Sequence, residues 1–519
     1  MLKCLFKCLA SGALSMVVTS SVQANAASSA KTVQLFPNLN TAKLSHHMMK
    51  RLESGAVHHE VIIKLAEKAD LSQVSSALTK EKKGRAVYRA LTEVAKASQA
   101  KLVKYLSSKN VRFERFYISN MIAAYGVSNE VLSELTRRVD VYQIFGNQSY
   151  SVDIPVSVAP FEQAFEAAGI EKSLVETNTI QVWEQYGLKG KGIVVAGQDT
   201  GVQWDHPALI RQYRGYADGG AVDHNYHWYD AIREPLGSSR RNPCGYATEA
   251  PCDDNNHGTH TVGTIVGDDG RGNQIGMAPE AEWIACRNMD SGMGRSTTYM
   301  RCFEFFLAPF PLNGDPMEEG RPELAPHVIN NSWGCPVSEL CEGNELADVL
   351  EAIYRAGIIN VVSAGNAGSN CGSINDQPAT HSDLTLSVGA YDHRSGRIAY
   401  FSSRGPSALD GKVGPDVAAP GVRIRSAVTG SRYQGGFSGT SMAGPHVAGQ
   451  AALVLEALGG AYEDTQTIFD LITASARAKT HSQTCGGVSG DSIPNNTFGY
   501  GNIDSLSAVE MAIKTLKRR

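Results

Sequence analysis

From residue 170 to the C-terminal end, short β-branched and apolar runs alternate with helix-like stretches, and that alternation leaves few architectures open. Ile193-Val194-Val195 reads as a buried strand, and Trp283-Ile284-Ala285-Cys286, His327-Val328-Ile329-Asn330-Asn331, Ile358-Ile359-Asn360-Val361-Val362 and Leu384-Thr385-Leu386-Ser387-Val388-Gly389 read as further strands. Helices are expected at 345–356, with Asn344 as a candidate N-cap, and at 505–515. Strands alternating with helices require an α/β fold, a doubly wound and mostly parallel sheet with helices on both faces. Open sheets of this kind place functional groups beyond the carboxyl ends of their strands.

Asp199 stands at such an end, in Gly197-Gln198-Asp199-Thr200-Gly201. Ser441 lies in Gly439-Thr440-Ser441-Met442-Ala443-Gly444-Pro445-His446, at the start of an apolar helical run whose first N–H groups can hold an oxyanion. Pro445 is expected in the first turn of that helix. A serine hydroxyl is a poor nucleophile without a histidine base and a carboxylate to orient it. His257 in Asn256-His257-Gly258-Thr259-His260 supplies the base, although His260 lies on nearly the same helical face and spacing alone does not choose between them. His446 reads as a packed helix histidine, and Asp253 and Asp254 as a solvated loop pair.

The order Asp199, His257, Ser441 and the motifs around them resemble the subtilisin-like serine proteases, the subtilases of peptidase family S8. Within that family, Ala285-Cys286-Arg287-Asn288-Met289 and Asn330-Asn331-Ser332-Trp333-Gly334-Cys335-Pro336 look most like the bacillopeptidase F type. The resemblance selects His257 over His260 and implies Asn366, in Ser363-Ala364-Gly365-Asn366-Ala367-Gly368, as the side-chain donor of the oxyanion hole. It further implies that Ser332, Trp333, Gly334, Ser363, Ala364 and Gly365 line the primary substrate pocket. Asp376 would lie at the pocket base, where a carboxylate favours Arg or Lys; the alternative is a loop aspartate capping nearby backbone. Gln198 stands where an apolar residue usually precedes the aspartate, and Gly444 where serine is common. The motifs are more widely separated than in compact relatives, so surface insertions are expected at 212–254 and 291–326.

The first 26 residues carry Lys3 and Lys7, an apolar stretch from Leu9 to Val18 and then Ala24-Asn25-Ala26, the pattern of a secretory signal peptide. Residues 27–158 read as a propeptide and 159–519 as the catalytic domain. Strands at 58–65, within 113–127 and at 141–145, with helices at 85–106 and 130–138, give a βαββαβ succession. That ferredoxin-like α+β order resembles the inhibitor I9-like propeptide of subtilases, which assists folding and occupies the substrate cleft until it is cleaved. A permanent accessory domain is the alternative.

Beyond Cys4 and Cys8 the chain carries Cys244, Cys252, Cys286, Cys302, Cys335, Cys341, Cys371 and Cys485. In an exported chain these imply disulfides, with Cys244/Cys252 and Cys335/Cys341 as local staples. A formal charge of −4 carries no signal for nucleic acid, and no apolar run is long enough for a membrane anchor.

The implied function is a secreted serine endopeptidase, extracellular or periplasmic, that acts on protein substrates and is made as a self-processing zymogen with its own propeptide as intramolecular inhibitor. No cofactor is required by this chemistry. Structural calcium is possible, with Asp268-Asp269-Gly270-Arg271-Gly272-Asn273 as an oxygen-bearing loop and no ligands assigned. A silent binding scaffold would be expected to lack a triad member, and the Gly-x-Ser-x-Gly elbow of other serine hydrolases is absent at Ser441.

Overall fold

The computed structural model describes residues 39–75, 78–151, 169–217, 219–238, 240–336, 346–460 and 464–518. The signal peptide expected at 1–26, the boundary expected after residue 158, Asn344 and Cys341 lie outside them. The chain divides into two compact units.

The first unit draws on residues up to 68, on 94–116 and on 120–148. In chain order its elements are α1 (His46–Glu53), β1 (His58–Leu65), α2 (Lys80–Ser108, which the unit enters at residue 94), β2 (Arg112–Phe116), β3 (Met121–Ser128), α3 (Asn129–Arg137) and β4 (Val141–Gly146). The strands form an antiparallel sheet in the order β2-β3-β1-β4, and from β1 onward the succession is βαββαβ. Side chains alternate along a strand, so Val61, Ile63 and Leu65 share one face. That face is covered by Met48 and Leu52 of α1, Leu102 and Leu106 of α2, and Leu132 and Leu135 of α3. Hydroxyl caps begin two of the helices: Ser45 Oγ accepts from Met48 N and Ser128 Oγ from Val131 N, each at 3.3 Å.

The second unit contains residues 149–519 and two short earlier segments. Its first elements are β5 (Tyr150–Ser151), β6 (Val194–Asp199), β7 (Trp228–Asp230), α4 (His257–Val266), β8 (Glu282–Arg287), β9 (Met293–Gly294) and α5 (Ser296–Leu307). Then follow β10 (Val328–Asn331), β11 (Cys335–Pro336), α6 (Ala347–Arg355), β12 (Ile359–Ser363), β13 (Asp376–Gln377), β14 (Leu386–Asp392), β15 (Arg397–Ile398), β16 (Val417–Pro420), α7 (Thr440–Ala457) and α8 (Ser505–Arg518). The main sheet has the order β15-β14-β12-β10-β6-β8-β7, with β16 also on β14. Every pairing in it is parallel except β14 with β15. From β6 the chain builds one way to β8 and β7 and the other way through β10, β12 and β14. The order therefore reverses between β6 and β10, the kind of place where open α/β sheets form a crevice beyond the carboxyl ends of their strands. Val195, Val328 and Val361 pack with Ala443, Val447 and Ala451 of α7 in one core, on the face that α4 also covers. Packing on both faces is why these strands read as nearly continuous apolar runs.

Two expectations need correction. The 212–254 stretch is not confined to the surface, because Trp228–Asp230 adds an edge strand beside β8 and Trp228 is fully buried. Within 291–326, every residue of α5 is buried, as its Tyr299, Phe303, Phe305 and Phe306 demand. Disulfides join Cys244 to Cys252, Cys286 to Cys302 and Cys371 to Cys485, and Cys335 is also disulfide-bonded.

Asp254 is a further correction, since its side chain is buried beside Arg287. The Arg287 guanidinium makes a two-point pair with Asp230 at 3.0 and 2.7 Å, donates to Gly245 O at 2.6 Å and reaches Asp254 at 3.3 Å. One buried cation thus faces two buried carboxylates. Burial pushes the Asp254 carboxyl up to about 8, against the opposing pull of Arg287. A folded-state value above the unfolded one means that the fold takes up a proton, so this stabilisation declines as pH rises from the usual carboxylate range towards 8. Asp254→Asn, a neutral isostere, is expected to melt close to wild type at pH 5 and above it at pH 8. Calorimetry across that range checks the sign, and a difference that does not grow with pH contradicts it.

Candidate active site

Asp199, the last residue of β6, is 2% exposed, and its Oδ1 lies 2.7 Å from Nδ1 of the fully buried His257. Thr200 N also donates to Asp199 Oδ1, at 2.7 Å. His257 is the first residue of α4, and two glycines allow the acid loop and this helix to touch. A Cβ on Gly258 would stand 2.0 Å from Gly201 O, and one on Gly201, where φ is +105°, would stand 1.7 Å from Cys252 O. His257 Nε2 and Asp199 Oδ2 are buried without a hydrogen-bond partner among the described residues. The imidazole thus has one nitrogen fixed by a carboxylate and the other left open, the arrangement a general base needs. His260 is elsewhere: its ring stacks on Phe437 at 4.3 Å, Nε2 faces Ile424 O, and burial drives its pKa down to about 3. His446 is buried between Met442 O and Ser173 Oγ, each at 2.8 Å.

Sequence reasoning missed the group that ties these pieces together. Asp253 is buried, not solvated. Its Oδ1 accepts from Thr200 Oγ1, Asn255 N and Asn256 N, and its Oδ2 from Thr259 N and Thr259 Oγ1, at 2.6–3.0 Å. Thr200 Oγ1 in turn accepts from Gly258 N at 3.0 Å. One carboxylate therefore caps the N-terminus of the His257 helix and holds the residue after Asp199. An acidic residue ahead of the helix was the available signal, because an aspartate there satisfies orphan N–H groups.

Ser441 is the second residue of α7. Its Oγ donates to Ser332 O at 3.1 Å, while Ser332 Oγ donates to Ser441 O at 2.9 Å. Pro445 explains that second bond. It sits in the second turn rather than the first and lacks the N–H that would have reached back four residues to Ser441 O, so this carbonyl is free to accept from Ser332. Asn366 Oδ1 accepts from Thr440 N and Thr440 Oγ1, both at 2.9 Å, which fixes the amide and leaves its NH2 as the available donor.

Ser332, Trp333 and Gly334 follow β10, and Ser363, Ala364 and Gly365 form the end of β12 and its continuation. The Trp333 ring is buried, stacked on Tyr299 at 3.7 Å. Asp376 stands on β13, paired with β11. Cβ atoms built on Gly334 and Gly365 would lie 3.0 and 3.6 Å from the same carboxylate oxygen, Asp376 Oδ2, so both segments face it.

The loop considered for calcium does not fit the ion. Asp269 accepts from Arg271 N, Asn273 N, Asn273 Nδ2 and Tyr433 OH, and Asp268 Oδ1 accepts from Gly270 N. These carboxylates are turn acceptors, whereas calcium takes about six to eight oxygens turned towards it. Among the described residues no three or more His, Cys, Asp or Glu side chains gather as ligands.

Comparison with known proteins places this geometry in context. The subtilase family model, Peptidase_S8, matches residues 190–501. Bacillopeptidase F of Bacillus subtilis (strain 168) is 35% identical, over 85% of this chain and 30% of that protein. The thermophilic serine proteinase of Bacillus sp. (strain AK1) is 31% identical over 64% of this chain and 65% of its own length, and subtilisin E of Bacillus subtilis (strain 168) is 33% identical over 52% and 57%. The chain thus spans less than two thirds of each of these relatives, and about a third of bacillopeptidase F.

Asp253→Ala removes a helix cap and a charged acceptor together. In a Ser441→Ala background it is expected to lose about 3 kcal/mol of stability in urea unfolding. Asp205→Ala, at an exposed position, should stay within about 0.5 kcal/mol of its parent. Equal effects at the two sites would contradict the bridging role of Asp253.

Proposed function

The chain belongs to the subtilase family, and from that premise we propose that it is an exported serine endopeptidase, made as a zymogen, that hydrolyses peptide bonds in proteins through an acyl-enzyme. The observation that carries this reading is the buried 2.7 Å contact of His257 with Asp199, together with Ser441 in the first turn of α7. In the proposed reaction the Ser441 hydroxyl turns from Ser332 O to His257 Nε2, gives up its proton and attacks the substrate carbonyl. Asp199 holds the imidazole by Nδ1 and stabilises the imidazolium. The Asn366 amide, aimed by Thr440, and the first-turn N–H of Ser441 receive the oxyanion. His257 then protonates the leaving amine, and water releases the acyl group by the reverse sequence.

An extended peptide needs a strand to lie along, and one segment of this chain already uses such a strand. Tyr150–Ser151 pairs antiparallel with Met293–Gly294, and the Tyr150 ring lies 6.1 Å from that of Tyr299. This pairing supports the reading of 27–158 as a propeptide whose C-terminal part enters the cleft as a substrate would. Asp376 facing the two pocket segments supports a preference for Arg or Lys before the scissile bond. No helix among the described residues is long and apolar enough to cross a membrane.

Intact mass of the secreted product tests the whole reading: wild type should lose roughly 120–140 residues beyond the leader, a range set by the composition break near residue 158, and Ser441→Ala should not. If both stay full length, self-processing is refuted; if both shorten, another protease is responsible. Asn366→Ala is expected to lower kcat by about 100- to 1000-fold, the magnitude known for this donor in subtilisin itself. Peptide amides ending in Arg should be cleaved faster than those ending in Phe or Leu, and the reverse order would remove Asp376 from specificity.

A further inference from the structure

Four side-chain amides meet end to end inside the main sheet. Asn288 Nδ2 donates to Gln198 Oε1 at 3.2 Å, Gln198 Nε2 to Asn331 Oδ1 at 2.5 Å, and Asn331 Nδ2 to Asn360 Oδ1 at 2.5 Å. All four residues are fully buried. Gln198 and Asn331 are direct partners in the β6–β10 register, Asn360 lies on β12 and Asn288 follows β8, so the ladder runs across four adjacent strands. Its two end atoms, Asn288 Oδ1 and Asn360 Nδ2, are buried without partners among the described residues. Strand alternation puts Gln198 and Asn331 on the opposite face from Asp199 and Asn330.

Amides buried in a core are costly unless they are paired, and these are paired chiefly with one another. That makes the ladder sensitive to register. A one-residue slip of β6 against β10 would turn Gln198 away and leave Asn331 Oδ1 unmet. The next residue after Gln198 is Asp199. After Asn331 comes Ser332, which exchanges two hydrogen bonds with Ser441. From Asn360, β12 leads directly to the Asn366 loop.

We propose that Gln198, Asn331 and Asn360 are positioning residues, whose amide ladder locks the strands that deliver the acid, the nucleophile's anchor and the oxyanion donor. This rests on the endopeptidase reading above. The ladder touches no substrate and acts through Asp199, Ser332 and Asn366.

The test replaces the ladder by apolar residues of similar size in one variant, Gln198→Met with Asn331→Leu and Asn360→Leu, beside the lone Gln198→Met. Removing three partners together leaves Asn288 as the one ladder amide newly stranded, so the triple variant is expected to keep its melting temperature within a few degrees of wild type. Its kcat should nevertheless fall by about tenfold or more with KM changed less than about twofold, since small misplacements of reacting groups cost that much. The acidic limb of its kcat/KM profile should move to lower pH, because a displaced Asp199 supports the imidazolium less well. A triple variant with kcat within about twofold of wild type and an unchanged pH profile overturns the proposal. If the triple variant is not secreted, the lone Gln198→Met decides by the same split between kcat and KM. Wild-type protein that neither cleaves peptide amides nor is labelled at Ser441 by a fluorophosphonate would fail the endopeptidase reading itself. An active wild type with indifferent ladder variants fails only this inference.

Discussion

A hydrogen bond between a buried carboxylate and a buried imidazole, Asp199 to His257, is the contact that the surrounding structure is arranged to hold. Neither group would remain in a dry site in this geometry without support. The support is local and specific. Asp253 binds both the helix that begins at His257 and the threonine after Asp199, and two glycines let the segments meet at contact distance. The reversal of strand order beside β6 supplies the crevice, so the site is a product of topology before it is a product of side chains.

The strands β6, β8, β10, β12 and β14 were legible because burial on both faces demands apolar residues, and such runs stand out against turn-forming neighbours. The βαββαβ succession of the first unit was legible for the related reason that its sheet has one helix-covered face and alternates accordingly. Trp228–Asp230 escaped because three residues are too few to show a period. Helix α5 lies between the motifs, where spacing alone suggests an insertion, although its aromatic residues ask for burial.

Charged and amide side chains were the least legible part of the site. Asp254 looks solvated in the sequence because its partner Arg287 lies far along the chain, whereas Asp253 also bonds nearby groups, at Asn255, Asn256 and Thr259, that only the start of the helix brings to it. Choosing His257 over His260 likewise took more than spacing, and the difference lies in what each ring meets: a carboxylate for one, Phe437 and a backbone carbonyl for the other. Asn288, Gln198, Asn331 and Asn360 are four unremarkable letters until parallel register sets them edge to edge. Polar burial is a property of pairs, and a linear pattern reports residues one at a time.

The disulfide between Cys371 and Cys485 closes a loop that contains Ser441 and the whole of α7, and it begins five residues after Asn366. A chain with the proposed activity is open to being nicked by another copy at exposed turns such as 408–410. A nick anywhere inside this loop would leave the two fragments joined by the cystine, with Ser441 and Asn366 still on one covalent body. The cystine thus turns a cut within the loop from a separation of two fragments into a break in one joined chain.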